Sequence, residues 1–395
     1  MQIIEIQGAG MWKVFHSVPP RIYACDPNWV CPLERDIQSI FTPASNKAYE
    51  HGEAQLFVLL DDHAAPAGRI AAFIDHHHNQ TQPYPVGGIG FFECIDNADY
   101  AAALFEKAES WLQAHGAQAV DGPVNFGERD RYWGLLDKGF DMPLFQENYQ
   151  PRYYKAFFEN NGYIPFEQIL TLTGLTADIP FERMSAVANR IRRDHDVRIE
   201  RYHPAHITRY AHDFCEVYNA SFRHFQHFKP IYPEKVRAFL HDARFILDPE
   251  LLCIGYFEGK PAGFCLLLPD INPLLQPFRG KLNALNAMRF LWRRRTTQHF
   301  RAKGIGFGIH PDYKSKGLMA FFLEFMSSKH NLSYYKKMYL TGVRAHNWEI
   351  RSIYDKMAVH TDRIHVAYRK ALSPDIELEP FEFLETGKLL LQNED

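Results

Sequence analysis

The sequence predicts an α/β chain (α+β, with a mixed sheet) of two tandem domains. Each is a mostly antiparallel twisted sheet flanked by helices. Three observations carry this. Apolar strand-like runs alternate with segments of helical period along most of the 395 residues. The order strand hairpin, strand, helix, strand, helix, strand occurs twice, a duplication at domain scale. A polar, charged stretch separates the two occurrences. The boundaries read as 1–175, a domain with an N-terminal arm; 176–196, a linker helix; 197–372, the second domain; and 373–395, an acidic tail.

In order, IIEIQG (2–7) is a strand. The aromatic, proline-broken run from Trp12 to Phe41 is expected to be an irregular arm packed over a domain. AQLFVLLDD (54–62) and GRIAAFIDHH (68–77) form a hairpin, and GGIGFFECI (87–95) a third strand. Residues 99–116 have helical spacing and stop at Gly116. Residues 117–126 read as a strand, 129–140 and 153–162 as helices, and 166–175 as a closing strand. After the linker, 197–203 is a strand, and 206–222 and 233–245 are helices. A hairpin follows around Gly259-Lys260. Residues 337–346 and 363–372 are strands, with a short helix over 347–357 between them.

A net charge of −3 argues against a general nucleic-acid binder, so any basic function is local. The six cysteines form no CxxC pair, which points to a reducing, cytoplasmic setting without disulfides or zinc. The N-terminus lacks the pattern of a signal peptide, and no apolar run is long enough to span a bilayer. His76-His77-His78 has no acidic or cysteine cluster to complete a metal site, so no metal is expected.

The stretch that concentrates chemistry is GIGFGIHPDYKSKG (304–317), followed at once by the helical LMAFFLEFM. A strand, a basic glycine-containing turn and a helix N-terminus bring unpaired N–H groups and a positive dipole end together, a combination that suits pyrophosphate. An ordinary strand-to-helix connection is the plain alternative.

The second half, over about 197–372, resembles the GNAT superfamily of acyl-CoA-dependent N-acyltransferases. The residues that carry the resemblance are the Gly259 hairpin with KPAGFCLLL, then GFGIHPDYKSKGLMAFFLEF, then Asn347 with IRSIYDKM, and RIHVAYRKAL. The resemblance implies an acetyl-CoA or longer acyl-CoA co-substrate. Its pantetheine arm would pair with backbone at Gly308 and Ile309, and its pyrophosphate would lie on Lys314, Ser315, Lys316, Gly317 and Leu318. Asn347 would bond near the pantetheine, and Tyr354 would be the acid that protonates the leaving thiolate. Lys314, Met319 and Met357 depart from the family pattern; Lys314 still supplies a point charge.

The first half resembles the same fold without the motif. Its turn, Asp96 to Asp99, is acidic and lacks glycine, and Leu136 is expected at the place of Tyr354. Asp137-Lys138 is expected to match Asp355-Lys356. The polar stretch 122–134, with Asn125, Glu128, Arg129, Asp130, Arg131 and Trp133, is a candidate acceptor wall or a charged surface junction. Candidate bases are His310, Asp312, His299 and Asp270, with a water relay as the alternative.

The insertion 282–304 reads as an amphipathic helix with a basic end at Arg293-Arg294-Arg295. It either packs over the groove or touches an anionic membrane surface or acyl-lipid substrate. Three functions stay open. The chain is an N-acyltransferase acting on a small-molecule or lipid-like amine, a non-catalytic GNAT-like binding or regulatory protein, or a lipid- or aminoacyl-tRNA-dependent transferase.

Overall fold

In the computed structural model the strands of both halves join one sheet. The structure describes residues 1–127, 131–223, 230–297, 300–348, 351, 354, 359–379 and 381–383. The first half runs β1 (Gln2–Glu5), α1 (Trp12–Ile22), α2 (Glu34–Ile40), β2 (Gly52–Leu60), β3 (Pro66–Asp75), α3 (His76–Asn79) and β4 (Val86–Cys94). It continues through α4 (Ala98–Ala114), β5 (Ala119–Gly122), β6 (Leu135–Lys138), α5 (Tyr154–Asn160) and β7 (Ile164–Leu175). After α6 (Phe181–Asp194) come β8 (Val197–Arg201), α7 (Ile207–Phe222), α8 (Pro233–Asp242), β9 (Leu252–Phe257), β10 (Lys260–Pro269), α9 (Asn272–Leu275) and α10 (Ala284–Thr296). The chain closes with β11 (Phe300–Ile309), α11 (Leu318–Met326), α12 (Lys329–Tyr334), β12 (Tyr335–Arg344) and β13 (His360–Ala371).

The spatial order is β1-β2-β3-β4-β5-β13-β7-β12-β11-β10-β9-β8, with β6 on β13. Neighbours are antiparallel except β4 with β5 and β11 with β12. The order contains an exchange. β13, the last strand of the second half, lies between β5 and β7 of the first. β7, the last strand of the first half, lies against β12 of the second. The apolar core of the first half therefore includes Ile364, Val366 and Tyr368 of β13. A separate core fills the second half around Phe264, Phe321 and Phe322.

Three expectations are corrected. The N-terminal arm is helical, not irregular. Pro19 lies inside α1 and cannot donate to the Phe15 carbonyl, which accepts from the buried Arg69 Nη1 at 3.1 Å instead. Residues 131–140, the described part of the expected helix 129–140, are not helical. Gly134 and Gly139 have φ of 72° and 80°, which break helical backbone, and Leu135–Lys138 between them pairs with β13. Asp137-Lys138 is accordingly in a strand, and its expected match Asp355-Lys356, like Met357, lies outside the described residues. His76 and His77, read as the end of the strand 68–77, instead begin one helical turn, His76–Asn79, capped by Asp75. The β9–β10 turn is as expected, with Glu258 and Gly259 both at positive φ.

Candidate functional site

β11 and β12 are paired from Phe300↔Tyr335 to Gly304↔Leu340, and there the parallel ladder ends. β11 continues to Ile309 along β10, while β12 turns to Val343↔Leu170 on β7. A bulge marks the divergence: Leu266 opposes Gly306 and Leu267 opposes Gly304, so Ile305 has no counterpart. Thr341 Oγ1 donates to the Gly304 carbonyl at 2.9 Å and closes the apex. Beyond it the two strands form a V.

The His310 N–H donates to the Ala262 carbonyl at 2.8 Å, which fixes the phase of the β10–β11 ladder. By alternation, the N–H and C=O of Phe307 and Ile309 face the open side, and those of Gly308 face β10. Of the two expected backbone positions, Ile309 therefore points into the V. Gly308 is needed for packing, since a Cβ there would lie 2.6 Å from Phe264 Cε1.

At the end of β11, residues Pro311–Tyr313 make a single 3-10 turn, and His310 Nδ1 accepts the Asp312 N–H at 3.3 Å. Lys314, Ser315 and Lys316 follow, all exposed. Gly317 is left-handed at φ 73°, ψ 17° and starts α11, with Leu318 buried beneath it. Among the described residues no side chain caps α11, and its first turn carries no acid. Its dipole end is thus open to an anion held by the two lysines. Ile191 of α6 lies over Gly317, so the segment read as a linker forms one wall of the turn.

Asn347 follows β12, its N–H bonded to the Arg344 carbonyl at 2.9 Å. Tyr354 has helical backbone and is half-buried against the first-half core. Burial, with a smaller contribution from the Cys265 thiol, pushes its hydroxyl up to about 12. An apolar cavity of about 40 Å³ lies beside the apex, lined by Leu175, Ile179, Leu323, Met338, Leu340 and Val359.

The same places in the first half are closed. β4 and β5 pair only from Val86↔Ala119 to Gly88↔Asp121, but the Val124 N–H then donates to the Ile89 carbonyl at 2.8 Å. A Cβ on Gly90 would be 2.1 Å from the Val124 oxygen. The α4 N-terminus is already capped by Asn97, which accepts from the Tyr100 N–H at 3.0 Å, and Asp99 sits in its first turn.

No family model matches the chain. The chain is similar to a bacterial ceramide synthase of Caulobacter vibrioides (strain NA1000 / CB15N), with 27% identity over 302 residues, 74% of this chain and 76% of that protein. It is similar to protein YghO of Escherichia coli (strain K12), with 26% identity over 309 residues, 76% and 77% of the two chains. Among solved structures, a tandem GNAT protein from the clavulanic acid biosynthesis pathway matches 95% of this chain and 99% of its own at TM-score 0.52 and 9% identity. The GCN5-related glucosamine N-acetyltransferase region of a fungal multi-domain GH3 beta-N-acetylglucosaminidase matches 93% of this chain at TM-score 0.52 and 13% identity. There the match spans 38% of the larger chain. The fold is tandem GNAT.

In this GNAT frame the element before the closing strand is α5 in the first half, not β6. Leu136 is therefore not the counterpart of Tyr354; the buried Phe158 stands as far before β7 as Tyr354 does before β13. Of the candidate bases, Asp270 is committed to structure. It is fully buried, ion-paired with Arg301, and accepts the Phe145 N–H at 2.9 Å. His299 lies outside the described residues, as do Glu128, Arg129 and Asp130 of the candidate acceptor wall. Asn125 and Trp133 are buried in the first half and line no groove of the second. The sequence reading missed Thr341, Ile305 and Ile191. Only the bulge had a signal, the alternating glycines of GIGFG.

Proposed function

We propose that the chain transfers an acyl group from an acyl-CoA thioester to an amine, with the donor held in the second half. The observation that carries this is the V beyond Gly304 and Leu340, which leads along β11 to an uncapped helix start flanked by Lys314 and Lys316. The donor's pantetheine amides pair with the outward backbone of Phe307 and Ile309. Its pyrophosphate takes N–H groups of the turn and the two ammonium charges. Asn347 stands at the far side of the arm.

With the thioester held near the apex, a neutral amine attacks its carbonyl carbon. The tetrahedral oxyanion collapses, the C–S bond breaks, and the proton lost by the nitrogen is balanced by one gained by the CoA sulfur. Tyr354 remains an O–H donor at neutral pH and stabilises charge on the leaving sulfur. A Tyr hydroxyl is less acidic than a thiol, so it acts by hydrogen bonding, and the net proton comes from the amine.

The small apolar cavity beside the apex, about 40 Å³, gives room for an acyl group a little longer than acetyl. A relative named for ceramide, an N-acylated lipid, favours a lipid-like amine as acceptor. The amphipathic, basic-ended 282–303 segment supports an acceptor that is met at a membrane surface.

Calorimetry of the full chain with acetyl-CoA and acyl-CoAs of increasing length tests the reading, followed by thiol release on adding long-chain amines. A folded sample that binds no acyl-CoA below millimolar concentration overturns it.

A further inference from the structure

Helix α10 is turned outside in. Its inner face carries Phe290, which packs with Val30, Leu33, Leu274, Leu275 and Phe278 into a small core joining the insertion to the N-terminal arm. Its outer face carries Leu285, Met288 and Trp292, which are 51%, 62% and 66% exposed. At spacings of three and four residues they form one stripe along the helix. Helices of water-soluble surfaces place such residues inward, and a contiguous exposed stripe of this kind marks a binding face.

The charge around the stripe is of one sign. Between Ile271 and Thr297 the chain has Arg279, Lys281, Arg289, Arg293, Arg294 and Arg295 and no acidic residue, within a protein of net charge −3. The structure divides these into two groups. Arg293 Nη2 donates to the Pro273 carbonyl at 3.3 Å. Arg294 donates to the Phe245 carbonyl and, at 2.7 Å, to that of Leu247. These two hold the helix in place. Arg279, Lys281, Arg289 and Arg295 are exposed, and on the helix Arg289 and Arg295 flank the stripe on opposite sides.

α10 also enters the sheet at the start of β11, whereas the Lys314–Gly317 turn lies at its other end. Ten residues of strand, about 30 Å, separate them.

We propose that the outer face of α10 docks on an anionic bilayer. Leu285, Met288 and Trp292 enter the acyl boundary, while Arg279, Lys281, Arg289 and Arg295 meet the headgroup phosphates. The orientation keeps the polar end of a CoA donor in water and turns the other end of β11 to the lipid. This rests on the acyl-transfer reading only for that orientation; the docking itself is independent of it. A nucleic acid would satisfy the arginines but leave the Leu-Met-Trp stripe in water, so the bilayer is the occupant the residues fit.

The test is sedimentation of the full chain with phosphatidylcholine vesicles and with vesicles containing one-third phosphatidylglycerol. Binding to the anionic vesicles is expected to exceed that to the neutral ones. Each of Arg289→Gln and Arg295→Gln weakens it about fivefold, and Met288→Ser with Trp292→Ser abolishes it. Arg293→Lys is expected to leave it unchanged. These surface variants keep the wild-type circular dichroism and, if the donor site is as proposed, the wild-type affinity for acyl-CoA. The idea is overturned if anionic and neutral vesicles bind equally, if the Met288/Trp292 variant binds as wild type, or if a single-stranded RNA but no vesicle sediments the protein. Vesicle binding without acyl-CoA binding would leave this inference standing and remove the acyltransferase reading.

Discussion

Thr341 Oγ1 donates to the carbonyl of Gly304 at the last paired position of β11 and β12, 2.9 Å away. Past this bond the strands part, so the hydroxyl satisfies an acceptor that the ladder abandons. Thr341→Val keeps the shape and removes the donor. Expected is a loss of about 1 kcal/mol in urea unfolding, with weaker acyl-CoA binding because the apex loosens. Unchanged stability and affinity would mean the bond does not set the apex.

Tyr354→Phe separates binding from chemistry. If Tyr354 hydrogen-bonds the leaving sulfur, kcat falls about a hundredfold while donor affinity stays within a factor of two. Its raised pKa also sets a pH expectation. The folded hydroxyl loses its proton only near pH 12, so wild-type kcat shows no Tyr354-dependent decline through pH 10. The same shift lowers stability as pH rises from 10 toward 12, because the unfolded chain releases the proton first. A variant with wild-type kcat would remove Tyr354 from the reaction.

The basic turn is tested by charge and by backbone. Lys314→Ala with Lys316→Ala leaves the melting temperature unchanged, since both side chains are exposed, and weakens CoA binding while flattening its salt dependence. Gly317→Ala acts differently. At φ 73° a Cβ is strained by about 1–2 kcal/mol, and it would sit 2.6 Å from Ile191 Cδ1. Both stability and donor affinity should fall. Wild-type CoA affinity in both variants would move the pyrophosphate elsewhere.

The fold was legible where one residue pattern decides one element. The continuous apolar runs of β2, β3, β9 and β10, the helical period of α4 and α7, and the strand-turn-helix pattern from GIGFG through KSKG each led to the right elements. What misled were positions decided by partners far away in sequence. Pro19 reads as a helix breaker until Arg69 supplies the donor that Phe15 lacks. Leu135–Lys138 has helical composition until β13 offers a strand edge. The exchange of β7 and β13 leaves no local trace, because each strand buries the same apolar face against either neighbour. The shape of the Lys314–Gly317 turn, a strand end followed by a left-handed glycine at a helix start, could be read because glycine and lysine at a helix start are local chemistry. The V could not, since it depends on where two strands cease to pair.

Glu147 links the halves and gives a pH signature. Its carboxylate is 9% exposed, pairs with Arg363, and accepts from Thr171 Oγ1 at 3.0 Å. Burial alone would raise this carboxyl. The Arg363 guanidinium, backed by His365, Lys303 and the Leu144 N–H, brings it down to about 2. The folded value is depressed, so the stabilisation is complete above about pH 4.5 and is lost as pH falls from there to 2. It is on the order of 3 kcal/mol. Glu147→Gln should flatten the acid limb of the stability curve and lower stability at neutral pH by about 3 kcal/mol, since Arg363 then keeps only Asp362 as a carboxylate partner. An acid limb identical to wild type would place the lowered carboxyl elsewhere.

The exchanged strands make a last prediction about cooperativity. Arg369 of β13 faces Asp121 of β5 in register and forms two hydrogen bonds to it, at 2.6 and 3.0 Å, with Asp121 fully buried. The pair joins the end of the second half to the middle of the first. Arg369→Met removes the guanidinium partner of a buried carboxylate and should cost about 3 kcal/mol, and adding Asp121→Leu should restore much of it. Because β13 completes the first-half core and β7 pairs with β12, neither half can lose its last strand without exposing the other. The chain should therefore unfold in one calorimetric transition, shifted as a whole by Arg369→Met. Two transitions, only one of them moved by the variant, would show that the halves are held separately and that the exchange does not couple them.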